Sequence, residues 1–173
     1  MFTVGDKVVY RAEGVCRISD IRAESFGSIG NTAMYYILTP MKDQKSTVFV
    51  PVENPQLAGM MRPLLSAHQI AELSEQLRAC RMEWIAETRL RNRRFREILG
   101  LGDRRELVVL IHTLREQMER AVADGKKVTA TDEDVFHQAC KLLISEFSAT
   151  TDLTSEEELL ATLSGERTPN PKQ

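Results

Sequence analysis

The sequence predicts an α+β protein, with a small Tudor/SH3-like β-barrel at the N-terminus and a compact all-α domain of about five helices after it. Three observations carry the prediction. Runs of strand length rich in Val, Ile, Tyr and Phe, separated by turn formers, fill the first sixty residues. After Pro55 the apolar spacing changes to the period of amphipathic helices. A length of 173 residues allows one domain or two small ones, and a 42% apolar content suffices for a core in each of two. The expected division is a Tudor-like domain over 1–58, a helical domain over 64–164 and a disordered tail over 165–173, where Pro169 and Pro171 fall.

Residues 7–10, 15–21, 34–38 and 47–52 read as short strands. Turn formers lie between them: Gly5-Asp6, Glu13-Gly14, the glycine-containing loop 27–31, and residues 40–45. Four or five short strands in sixty residues cannot make a sandwich of two full sheets, so a single strongly bent sheet is the economical arrangement.

The first helix opens at a capping box of Ser66 and Gln69 and continues with Ile70, Leu73, Leu77 and Cys80 on one face. A second helix is predicted over 82–99, stopped by Gly100 and Gly102. Asp103 and Glu106 form another capping box, ahead of a stripe of Leu107, Leu110, Ile111, Leu114, Met118 and Val122 that ends at Gly125. Residues 131–134 start a fourth helix carrying Val135, Phe136, Ala139, Leu142, Leu143 and Phe147, and residues 154–157 start a short fifth with Leu159, Leu160 and Leu163. There is no internal repeat.

The formal net charge of −2 excludes a uniformly basic coating protein but conceals a strong asymmetry. Residues 61–110 hold ten basic and seven acidic side chains, and residues 111–173 hold seven and twelve. Residues 88–96 contain five arginines and no acid, whereas residues 146–166 contain six acids and no Lys or Arg. Cys16, Cys80 and Cys140 are widely spaced and odd in number, which points to reduced thiols in a cytoplasmic protein rather than a disulfide scaffold or metal knuckle. The N-terminus lacks the basic and apolar regions of a signal peptide. The longest aliphatic run, 107–111, is far short of the roughly 20 residues of a spanning helix, so no membrane role is expected.

Catalytic signatures are lacking. His68, His112 and His137 fall on three different predicted helices with no ligand-spaced partner, and read as ordinary surface or boundary histidines. No phosphate loop, nucleophile elbow or zinc-protease motif occurs. Asp132, Glu133 and Asp134, like Glu156, Glu157 and Glu158, sit at helix N-termini, where the helix dipole accounts for them. No enzyme activity, metal or cofactor is therefore expected.

The segment around Trp84 stands apart. On a helix, Trp84, Thr88, Arg91, Phe95 and Ile98 share one face, with Arg89, Arg93 and Arg96 near the opposite side. One reading packs Trp84, Phe95 and Ile98 into the bundle and leaves the arginines solvated beside Glu83, Glu87 and Glu97. The other makes the arginines phosphate clamps and the Trp an exposed apolar wedge, a pairing used by minor-groove and strand-junction binders.

The opening run Gly5-Asp6 to Tyr10, then Glu13 to Val15, Tyr35 to Leu38 and the strand running through Val50-Pro51, resembles the N-terminal domain of the CarD/CdnL family of bacterial RNA polymerase-binding transcription regulators. Transcription-repair coupling factors carry a similar domain. The helical remainder is similar to the family's C-terminal domain in its Trp followed by a basic stretch (84–96), its Gly102-Asp103 element and its helix over 139–146. The resemblance implies a Tudor-like domain docked on the β subunit of RNA polymerase through an exposed strand, matching Ser46, Thr47, Val48, Phe49 and Val50 here. Alternation places Val48 and Val50 inward and Thr47 and Phe49 outward. It further implies that Trp84 enters the minor groove at the upstream edge of the promoter bubble, with Arg89, Arg91, Arg93, Arg94 and Arg96 as candidate phosphate contacts. The function so implied is a monomeric, non-enzymatic transcription regulator that stabilises the open complex. A protein interaction adaptor that uses both domains without DNA is the alternative.

Overall fold

A computed structural model describes residues 1–26 and 32–172, so the expected 27–31 loop lies outside the described residues. The chain divides into two compact units, Met1–Leu64 and Leu65–Gln173.

The first unit is a five-stranded antiparallel sheet formed by β1 (Lys7–Tyr10), β2 (Gly14–Ser25), β3 (Thr32–Pro40), β4 (Val48–Pro51) and β5 (Met61–Pro63). A four-residue helix, α1 (Pro55–Ala58), sits between β4 and β5. Asn54 caps it by accepting from the backbone of Gln56 and Leu57. The β1–β2 turn is made by Gly14, buried at φ 74° and ψ −141°, a conformation only glycine adopts without strain. Strand order is β4-β3-β2-β1-β5, and β4 does not pair with β5 among the described residues. The sheet is therefore open, where the sequence reading expected a barrel. The two ends offer only four and three residues, finishing in Pro51 and Pro63, whose nitrogens carry no proton to donate. Val8, Tyr10, Cys16, Ile18, Tyr36, Leu38, Val50 and Met61 form its core.

The second unit contains α2 (Ala67–Leu77), α3 (Thr88–Leu101), α4 (Arg104–Ala123), α5 (Ala130–Phe147) and α6 (Glu156–Ser164), the expected five helices. The Ser66–Gln69 capping box forms as expected. At the start of α4, Asp103 accepts from Arg105 and Glu106 N–H groups, while the Glu106 carboxylate takes a bond from Arg94. A left-handed Gly102, φ 61°, ends α3 and allows α4 to begin at once. Helix α4 supplies the centre of the core with Leu107, Val108, Leu110, Ile111 and Leu114, and α2, α3 and α5 pack against it. Its stripe runs past that core, since Met118 is half-buried and Val122 is 68% exposed.

Two further expectations need correction. The helix predicted over 82–99 starts six residues late, at Thr88, with Glu87 as its N-cap. Backbone groups before it are met by side chains instead: Thr113 Oγ1 accepts from Met82 N–H at 3.0 Å, and Arg91 donates to the carbonyls of Ile85 and Ala86. The segment 165–172, expected to be disordered, is hydrogen-bonded back onto the unit. Thr151 bridges Pro171, the Asp152 carboxylate accepts from both nitrogens of Asn170, and Pro169 is buried. Those bonds, with an ion pair from Arg167 at 2.9 Å, hold the Asp152 carboxyl below its ordinary range.

Candidate functional site

In the first unit, β4 is an edge strand, paired with β3 on one side only. Val50 is fully buried, Val48 is half-buried against the core and Phe49 is 37% exposed, as strict alternation along a strand requires. Ser46 and Thr47 are exposed and precede the strand. Ser46 is held there by Asp43, which accepts from its hydroxyl, and that bond together with one from Lys45 N–H keeps the Asp43 carboxyl low. The Phe49 ring stands edge-on to Phe26, centroids 5.0 Å apart, and to Tyr35 at 6.4 Å. Phe26 also meets Tyr35 at 5.2 Å and is 55% exposed, so three aromatics share one outer patch beside the unpaired edge. Residue spacing alone did not connect Phe26, the residue after β2, with Phe49.

In the second unit, Trp84 lies outside any helix, in the irregular stretch before α3. That stretch is pinned to α4 by Arg81 Nε, 2.9 Å from Glu116, and by the Met82–Thr113 bond. Trp84 is half-buried. Its ring packs against the helical core, tilted toward Phe95 at 6.3 Å, and the Arg91 guanidinium sits 4.5 Å from its centroid.

The five arginines of 88–96 do not act alike. Arg89, Arg93 and Arg96 are exposed and form no ion pair among the described residues. Arg94 is 39% exposed at its side chain and is shared between Glu106 at 2.6 Å and Glu97 at 3.5 Å. Arg91, expected among the phosphate contacts, is instead 7% exposed and paired with buried Asp132, Nε to Oδ1 3.6 Å. Its position on the Phe95 and Ile98 face turns it inward, which removes it from any phosphate-facing surface.

A cleft of about 260 Å³ is lined by Trp84, Leu114, Met118, Arg120, Lys126 and Lys127, among others. The two lysines were missed from sequence. The only signal was a basic pair directly after the Gly125 stop. Lys126 pairs with Asp124 at 3.4 Å, and Lys127 has no ion pair among the described residues. Arg120 is bound by Glu116.

Burial pushes the Cys16 thiol up to about 11 and the Cys140 thiol up to about 12, and Cys80 is exposed. Burial, with Arg81 and Arg115 nearby, lowers His112 to about 4. His137 binds Glu156 at 2.9 Å, and His68 is exposed. Among the described residues no cluster could hold a metal ion, and no helix is long and apolar enough to cross a membrane.

Residues 2–65 match the family model of the CarD-like/TRCF RID domain. The first unit is a CarD-like/TRCF RID domain. The match spans the open sheet from Phe2 through β5 to Leu65, so it includes β4 and the aromatic patch. No curated protein matches the chain. A CarD-like RID domain implies RNA polymerase as a binding partner and points to a transcription regulator; proteins of the CarD family are non-enzymatic transcription factors.

Proposed function

We propose that the RID domain docks on the polymerase β subunit through the β4 edge, and that the helical unit holds promoter DNA at the upstream edge of the melted bubble. Docking would extend a partner sheet along the unpaired side of β4, with Phe49 and its aromatic neighbours covering apolar surface beside the new ladder. In the helical unit, Trp84 is the apolar wedge for the strand junction, and Arg89, Arg93 and Arg96 hold phosphates, with Arg94 available on leaving its acids. Lys126 and Lys127 add two cations to the cleft that Trp84 shares, whose lining also includes Asp124 and Asp132.

The observation that carries this reading is the placement of Trp84. Trp84 is only partly buried, on a non-helical stretch beside a helix face on which Arg89, Arg93 and Arg96 form no ion pair among the described residues. A wedge that fits only an unstacked junction stabilises the open complex over the closed one without any chemistry.

The experiment is Trp84→Ala in a promoter-melting assay with bacterial RNA polymerase. Co-purification with the β subunit should be retained, while open-complex lifetime falls by about tenfold, the equivalent of about 1.4 kcal/mol of lost differential binding. An unchanged lifetime refutes the wedge.

A further inference from the structure

Helices α3 and α5 are joined by two buried charges. Arg91 is the fourth residue of α3 and Asp132 the third of α5, and each is only 7% exposed. Removing two charges from water costs as much as their attraction returns, and a well-packed apolar pair of similar volume is often as stable or more so. Stability alone therefore gives no reason for this pair.

Geometry supplies one. A guanidinium presents five N–H donors in a rigid planar fork and an apolar face that stacks on aromatic rings. Arg91 uses each part. Its Nε faces Asp132 Oδ1 at 3.6 Å, and among the described residues neither atom has a hydrogen-bond partner, so each depends on the other's charge. Its Nη1 donates to the carbonyl of Ile85 at 2.9 Å and of Ala86 at 3.3 Å, the two residues after Trp84. Its central carbon lies 4.5 Å from the Trp84 ring centroid. One side chain thus ties α5, the backbone of the Trp84 segment and the indole together. Asp132 is itself fixed at the start of α5, where its N–H donates to Thr129 Oγ1 at 3.1 Å. Lysine could supply the charge but not the fork.

We propose that Arg91 and Asp132 are a positioning pair: the carboxylate orients the guanidinium, and the guanidinium holds Trp84 in one pose on the rim of the cleft. The pose itself stands on the geometry. Its consequence for promoter DNA rests on the function proposed above.

The test uses the 173-residue chain, in which Trp84 is the sole Trp and so the only indole fluorophore. The double variant Arg91→Met/Asp132→Leu keeps volume and removes both charges. Asp132→Asn keeps shape and removes one, and serves if the double variant melts early. In a variant that circular dichroism shows to be folded, Trp84 emission should shift to the red and acrylamide quenching should rise. Open-complex lifetime should fall by about tenfold, as for loss of the indole itself. Wild-type emission and quenching in the folded variant would overturn the pair's role. A loosened Trp84 with an unchanged open-complex lifetime would confirm the positioning and refute the DNA wedge, so the two readings fail separately.

Discussion

Substituting alanine for two arginines only two positions apart, Arg91 and Arg93, should have opposite consequences. Arg93 is exposed and without an ion pair among the described residues, so Arg93→Ala should change stability by no more than about 0.5 kcal/mol. Arg91→Ala instead strands the Asp132 carboxylate, 7% exposed, and frees the carbonyls of Ile85 and Ala86. Breaking a buried pair by removing one partner costs about 3–5 kcal/mol. For a unit of this size that lowers the melting midpoint by on the order of 15 °C. Circular dichroism at the helix wavelength follows the helical unit directly. The DNA readout reverses the order: Arg93→Ala should weaken promoter contact and reduce the slope of log affinity against log salt by about one, the loss of one phosphate contact. The reasoning is refuted if Arg91→Ala melts with the wild type, or if Arg93→Ala leaves the salt slope unchanged.

At the other unit, Phe49→Glu removes edge-on contacts to Phe26 and Tyr35 and puts a charge beside the unpaired edge; about 1–2 kcal/mol of stability should go. Affinity for the β subunit should fall by at least about tenfold, and undiminished co-purification would remove β4 from the docking surface. His112 gives the pH dependence. Its folded value of about 4 lies below its ordinary 6.5, so the unfolded chain binds the extra proton as pH falls. The neutral ring's contribution is therefore complete above about pH 6.5 and lost on descending toward 4, amounting to about 3 kcal/mol at the acid end. His112→Gln should flatten the melting midpoint across that window, and an unaltered slope would show that other groups set it.

Most of the helical architecture was legible because each helix combined a stripe of apolar residues with a capping side chain, as at Ser66 and Asp103. The start of α3 was not, because residues 82–87 are composed like a helix and are kept out of one by Thr113 and Arg91, which arrive from other elements. The ordered tail was hidden for the same reason: its partners, Thr150, Thr151 and Asp152, lie some twenty residues upstream. Strand β5 is three residues long and carries too little pattern to read. In the candidate site, the alternation of Val48, Phe49 and Val50 was readable from period two alone. The Asp132 carboxylate was assigned to the helix dipole, whereas its charge is matched by an arginine forty-one residues away on another helix.

Arg91 shows how density and register compete when a basic run is read. Density counts five arginines in nine residues as five phosphate contacts. Register divides them, because a helix repeats every 3.6 residues and Arg91, Phe95 and Ile98 fall on one buried face. Arg89, Arg93 and Arg96 fall on the other side and stay exposed. Where the two criteria conflict, register decides, since a side chain aimed into the core cannot reach a phosphate at any local concentration of charge. An arginine so placed must find an internal acid, and the acid in turn must be buried beside it. A basic residue in phase with the apolar stripe of its helix therefore predicts a buried carboxylate elsewhere in the chain, and Asp132 is that carboxylate here.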